Sequence, residues 1–184
     1  MVDLLPFLTS IIGLRDPHGK AHSNHVMGLS SAFGQKVDLT SAQIETLAFA
    51  AEVHDIGKIA INEFIINKPG RFTEAEYFMV QHHAQLGANL METLEIDPII
   101  PLIIRHHHEN FDGSGYPQKL KGNQIPLEAR IIRITDTYDA LTSNRGYRAA
   151  YSHKQALSIM EQDSVFFDPH LLEVFFKMQH GKKQ

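Results

Sequence analysis

The chain has 184 residues, 43% of them hydrophobic, which suffices for one well-filled core and reads as a single domain over residues 1–184. A net charge of −4 gives no basic footprint for duplex nucleic acid, so an anionic ligand must be held by a few local Lys and Arg residues. With no cysteine there is no disulfide framework and no thiolate metal site, so a metal would take His and carboxylate ligands.

Residues Met1 to Leu14 are apolar-rich but too short to span a bilayer, and they lack the basic start of a signal peptide. No later stretch approaches a transmembrane run, which places the chain in the cytoplasm, as a whole protein or as a piece of a longer, membrane-tethered one. The one compositional oddity is twelve histidines.

A first helix is expected from Asp3 to about Arg15, broken by Asp16-Pro17-His18-Gly19. A second starts near Lys20, with His22, Val26, Leu29 and Phe33 on one face. Thr40-Ser41-Ala42-Gln43 announces a third by its capping-box pattern. That helix buries Ile44, Leu47, Ala48 and Ala51 and runs into His54-Asp55 before Gly57 ends it. Lys58 to Arg71 reads as an irregular connection. Thr73 opens a fourth helix on which Met79, His83, Leu86 and Leu90 share a face. After Asp97-Pro98 comes a short helix with two rows, Ile99, Ile103, His107 and Ile100, Ile104, His108. Residues 109–124 carry turn chemistry throughout, and so long a connection inside a compact domain is usually functional. A helix from Pro126 to about Ser143 places Asp136 in the stripe Ala129, Ile132, Asp136, Ala140. Two more begin at Ser152 and Asp168-Pro169, the last ending near Gln179. The expected fold is an all-α bundle of about seven or eight helices.

His22, His54, Asp55, His83, His107, His108 and Asp136 thus lie on apolar faces of five helices, which a bundle converges on one core. Burying so many ionisable groups is costly unless they pair or bind metal. Neutral imidazoles and carboxylates suit two divalent ions, with Asp55 bridging them. Two ions roughly 3.5 to 4 Å apart would bring a bridging water toward hydroxide and stabilise the oxygens of an in-line attack on phosphorus. Glu52 and Glu109, which flank the two pairs, are expected to accept hydrogen bonds from ligand imidazoles. His25, His82 and His106 read as neighbours of ligands or surface residues.

His54-Asp55-Ile56-Gly57-Lys58, followed by His107-His108-Glu109-Asn110-Phe111-Asp112-Gly113-Ser114-Gly115-Tyr116-Pro117, closely resembles the HD-GYP subgroup of the HD-domain phosphohydrolases. The likeness extends through Arg15-Asp16-Pro17, His22-Ser23, Asn67-Lys68-Pro69-Gly70, His83 with Gly87, Gly122 with Ile125-Pro126, and Asp136 on to Tyr147-Arg148. It covers about residues 3–176 and leaves 177–184 as a C-terminal tail.

The resemblance implies hydrolysis of cyclic di-GMP to linear pGpG, and in some members onward to GMP, at a centre of two or three metals, often iron or manganese. It implies the same seven ligands, with His22, His54, Asp55 and Asp136 on one ion and Asp55, His83, His107 and His108 on the other. By the same likeness Lys58 contacts the scissile phosphate, Arg145 and Arg148 hold phosphate, and Tyr116 touches the ligand. Trinuclear members carry Glu four residues before the first metal histidine. Here that position is His18, so a dinuclear site is expected, and about three metal equivalents per chain would overturn it. Two alternatives stay open: a phosphodiesterase for 3′,3′-cyclic GMP-AMP, and a catalytically silent cyclic-dinucleotide receptor or module that docks diguanylate cyclases through the Gly115-Tyr116-Pro117 loop.

Overall fold

The computed structural model describes residues 4–15, 19–144 and 149–181, and every regular element among them is helical. Arg145, Arg148 and His18 lie outside the described residues. In chain order the α-helices are α1 (Leu4–Arg15), α2 (Gly19–Lys36), α3 (Ser41–Val53), α4 (Glu63–Ile66), α5 (Glu74–Glu92), α6 (Ile99–His106), α7 (Leu127–Thr142), α8 (His153–Gln162) and α9 (Pro169–His180). None of them is long and apolar enough to cross a membrane.

The helix starts follow the side chains that cap them. Thr40 Oγ1 accepts from the Gln43 amide while the Gln43 side chain accepts from the Thr40 amide, and Thr73 with Glu76 and Ser152 with Gln155 repeat the device. Asp168 accepts from the amides of His170 and Leu171, with Pro169 supplying the first turn of α9. That helix reaches His180, so the first half of the stretch assigned as tail, residues 177–180, is its last turn.

α2 occupies the centre, packed against α3 and α7, while α5 packs against α6. Val26 and Phe33 of α2, Leu47 and Ala51 of α3, Ile103 and Ile104 of α6 and Ile131 and Ile132 of α7 are fully buried in one cluster. Phe175 of α9 closes its far side edge-on against Phe33, ring centroids 5.3 Å apart.

Three expectations are corrected. The connection after Lys58 is more regular than predicted: a 3-10 turn spans Ile56–Ala60 and α4 follows, capped by Asn62 Oδ1 on the Phe64 amide. That brings the count to nine α-helices among the described residues. On α5 the buried face is His83, Ala84, Gly87, Ala88 and Met91, whereas Met79 is 53% exposed. Small side chains win there because the 56–60 turn and α6 lie close against that face. Finally, α3 stops at Val53 and α6 at His106, so His54-Asp55 and His107-His108 sit in the turns that end these helices.

Candidate metal centre

His54 is the residue immediately after the last turn of α3, and its ring Nδ1–H donates to the Ala51 carbonyl at 2.7 Å. His83 Nδ1–H donates to the Val80 carbonyl and His107 Nδ1–H to the Ile104 carbonyl, both at 2.6 Å. A carbonyl only accepts, so each ring carries its proton on Nδ1 and directs a lone pair inward from Nε2. The Ala51 and Ile104 carbonyls lie in the last turns of α3 and α6, where helical partners run out, so His54 and His107 are oriented by their own backbone; His83 leans on the Val80 carbonyl inside α5. Glu52 and Glu109 do not take the role expected of them. Glu109 instead receives the amides of Gln118 and Leu120 at 2.7 and 3.1 Å, pinning the loop that carries Tyr116. Glu52 is half-buried on α3, where the charge of Lys20 acts on it.

The structure brings all seven predicted side chains together. Ligand atoms of His22, His54 and Asp136 lie within 4.8 Å of one another, as do those of His54, Asp55 and His107, and those of His83, His107 and His108. Asp55 joins the ends of this chain of groups. Its Oδ2 lies 3.5 Å from His54 Nε2 and 3.9 Å from His22 Nε2, while its Oδ1 lies 3.4 Å from His83 Nε2. One carboxylate therefore faces two different imidazole sets with its two oxygens. His25, His82 and His106 fall outside all three groups.

The donor set fits divalent ions. His83 Nε2 and His107 Nε2 are 3.3 Å apart, and both rings have already given their proton to a carbonyl, so two lone pairs face each other in a buried site. Protonation is a poor remedy, because burial lowers the His83 pKa to about 4 and drives His107 and His108 down as well. A cation accepted by both nitrogens resolves the repulsion.

The α2–α7 side is different. His22 Nε2 is 3.1 Å from Asp136 Oδ1, and Nδ1 is 2.6 Å from Asp139 Oδ2. Burial lowers the His22 pKa, but the hydrogen bonds to Asp136 and Asp139 outweigh it and raise the pKa to about 10. Bound to metal through Nε2, His22 would give up that proton and keep Asp139 as the acceptor for Nδ1. Sequence reasoning did not single out Asp139 for this. Its spacing of three from Asp136, which puts the two on one helical face, was the available clue.

A pH dependence follows for chelator-treated protein. The depressed histidines stay neutral when folded and take up protons from about pH 6.5 downward when unfolded, so their contribution to stability is lost as pH falls from 6.5 toward 4. His22 has the opposite sign, its contribution being complete below pH 6.5 and lost as pH rises toward 10. Between pH 7 and pH 5 the three depressed groups dominate, and urea denaturation should register a loss of roughly 2 kcal/mol or more. Identical stabilities at the two pH values would refute this account.

The loop after α6 completes the site. Gly115 lies so close to the backbone of Glu109 and Asn110 and to the His108 carbonyl that a Cβ would overlap all three, and the Tyr116 amide donates to that carbonyl at 3.3 Å. The Tyr116 ring is thereby laid over His108, centroids 4.9 Å apart. Lys58 Nζ donates to Asp55 Oδ2 at 2.6 Å from the other end of the site. The phosphate-holding assignments to Arg145 and Arg148 fall outside the described residues.

A family model described as HD domain matches residues 6–171. The chain belongs to the HD-domain family. Its sequence is 35% identical over 173 residues to a cyclic di-GMP phosphodiesterase of Pseudomonas aeruginosa, covering 92% of this chain and 42% of that protein. It is 35% identical over 153 residues to the 3′3′-cGAMP-specific phosphodiesterase 3 of Vibrio cholerae, covering 83% of this chain and 33% of that one. This HD domain thus spans less than half the length of either relative. Among solved structures it is similar to an HD-GYP-type protein of Bdellovibrio bacteriovorus, with TM-score 0.73, 22% identity, and coverage of 90% of this chain and 53% of that one. The HD-GYP resemblance read from the sequence agrees with these findings.

Proposed function

We propose that this HD domain is a metal-dependent phosphodiesterase of cytoplasmic cyclic dinucleotides, with cyclic di-GMP the preferred substrate and linear pGpG the first product. The observation that carries this reading is Asp55, whose two oxygens face separate imidazole sets while Lys58 holds one of them. The names of the Pseudomonas and Vibrio relatives support the substrate class.

His22, His54, Asp55 and Asp136 would hold one ion and Asp55, His83, His107 and His108 the other, iron or manganese being the expected metals. Bound there, the ions would supply Lewis acidity for the phosphate and activate water. Hydrolysis consumes one water, whose oxygen forms a new bond to phosphorus as the bond to the ribose 3′ oxygen breaks and that oxygen takes a proton. Asp139 keeps His22 in the tautomer that presents Nε2 to the site. Lys58 stabilises charge developing on the scissile phosphate, since the ions relieve Asp55 of needing it. Tyr116 packs on the nucleotide at the His108 end, and GMP would follow from a second round of the same hydrolysis.

The test is chromatography of products after cyclic di-GMP is given to protein reconstituted anaerobically with iron(II) or manganese(II), against a His54→Ala, Asp55→Ala control. Metal-dependent pGpG or GMP, absent in the control, is the expected result. Turnover of 3′,3′-cyclic GMP-AMP alone would replace the substrate. Binding without turnover of either would make the chain a receptor. For Lys58→Met, kcat should fall about 100-fold with two metals retained. Loss of metal in parallel with activity would mean that Lys58 acts only by holding Asp55.

A further inference from the structure

Arg133 lies on α7, one turn before Asp136, and its guanidinium is fixed in place by neutral groups. Nε donates to Asn110 Oδ1 at 3.0 Å and Nη1 to Thr137 Oγ1, while Cζ stands 5.4 Å over the ring of Phe167. Among the described residues no carboxylate lies within ion-pair distance of it, and Nη2 has no protein acceptor. A guanidinium cannot shed its proton, so a half-buried one held without a counter-ion awaits an anion. Burial lowers its pKa, and the charges of Asp136 and, more weakly, Asp163 act against that, while its own charge acts on His108, over which the Tyr116 ring lies. Arg133 therefore stands at the Asp136–His108–Tyr116 end of the site, and Lys58 stands at the Asp55 end. Asp136 is no lasting partner, because its Oδ1 is committed to the His22 side of the metal centre.

Resting on the phosphodiesterase reading, we infer that Arg133 holds the second phosphate of the cyclic dinucleotide, the one not undergoing hydrolysis. With ions bound, the centre is strongly positive, and an unneutralised guanidinium beside it is tolerable only if the ligand brings more than one negative charge. A cyclic dinucleotide brings two, at opposite sides of its ring. Asn110 and Thr137 orient the fork, and Phe167 backs its face, which leaves Nη2 to reach the phosphate with little further ordering cost. Arg133 is thus a substrate-holding residue that should govern KM more than kcat.

The experiment compares wild type, Arg133→Gln and Arg133→Lys, each loaded with manganese(II), on cyclic di-GMP and on bis(p-nitrophenyl) phosphate, a diester with a single phosphate. Metal content and melting temperature are measured on the same samples. For Arg133→Gln the KM for cyclic di-GMP should rise about tenfold or more, with kcat within about threefold, and Arg133→Lys should fall between it and wild type. Both variants should hydrolyse bis(p-nitrophenyl) phosphate within about twofold of wild type, since that substrate has nothing for Arg133 to hold. Equal losses on the two substrates, or an unchanged KM for cyclic di-GMP, would overturn the inference. If Arg133→Gln does not fold, Arg133→Lys carries the same comparison. A wild type that cleaves bis(p-nitrophenyl) phosphate but no cyclic dinucleotide would instead overturn the phosphodiesterase reading, and this inference with it.

Discussion

Asp55→Asn should lower the rate of cyclic di-GMP hydrolysis by at least about 1,000-fold and remove most of the bound metal, with little loss of helix. Among the described residues Asp55 is the one whose two ligand atoms face both halves of the centre, His22 and His54 through Oδ2 and His83 through Oδ1. An asparagine keeps the shape, but it replaces one oxygen by an NH₂ group that donates and cannot ligate. It also removes the negative charge that offsets a divalent ion among neutral imidazoles. By contrast, losing a single imidazole leaves the other half of the site intact, so His83→Ala should keep about one metal equivalent per chain where Asp55→Asn keeps close to none. Elemental analysis after gel filtration, circular dichroism and product chromatography on both variants check this. Two retained equivalents in Asp55→Asn would sink the bridging role.

The candidate ligands were legible in the sequence because histidine and aspartate on an apolar face are anomalies whichever way the helix ends. The pattern places His107 and His108 on two helical rows continued past Ile103 and Ile104. They lie instead in the turn after α6, where the αR conformation of His107 keeps the helical direction for one more residue. The same holds for His54, which still has φ −55 and ψ −32 after α3 has closed. The helical direction set by His54 and His107 carries over to the residue after each, so periodicity reaches two residues beyond these helices and covers Asp55 and His108.

What the sequence hid depends on through-space partners. For His54 and His107, whether the ring leans on a glutamate or on a carbonyl three residues back is decided by where the helix stops, and boundaries are the least certain part of a pattern. The sequence therefore points Glu109 at the imidazoles, whereas it accepts from the amides of Gln118 and Leu120. Arg133 carries no signal of its own in the sequence, because its environment is supplied by Asn110 and Phe167, remote along the chain. The buried face of α5 departs from its apolar pattern for a related reason. Met79 and Leu90 carry more apolar area than Ala84 and Gly87, but only small residues let another backbone approach, and an amphipathic count does not register approach.

That approach is the basis for Gly57→Ala, expected to destabilise the protein by about 3 kcal/mol or more and to impair metal loading. Gly57 is not among the residues with positive φ, so an alanine there meets no backbone prohibition and by chain entropy alone would stabilise slightly. Space decides the sign. A Cβ on Gly57 would fall on the His83 carbonyl oxygen and the Gly87 amide nitrogen, backbone atoms in the middle of α5 that no side-chain rotation can move aside. The turn would have to lift from α5, and with it Asp55 would leave His83, whose Nε2 now lies 3.4 Å from Oδ1. Gly28→Ala supplies the contrast, for a Cβ there meets nothing within 4 Å on α2, and helix propensity predicts a gain of about 0.5 to 1 kcal/mol. Urea denaturation of both variants, with metal content measured alongside, separates packing from propensity. A Gly57→Ala protein within about 1 kcal/mol of wild type and fully metallated would mean that the turn and α5 can part without disturbing the centre.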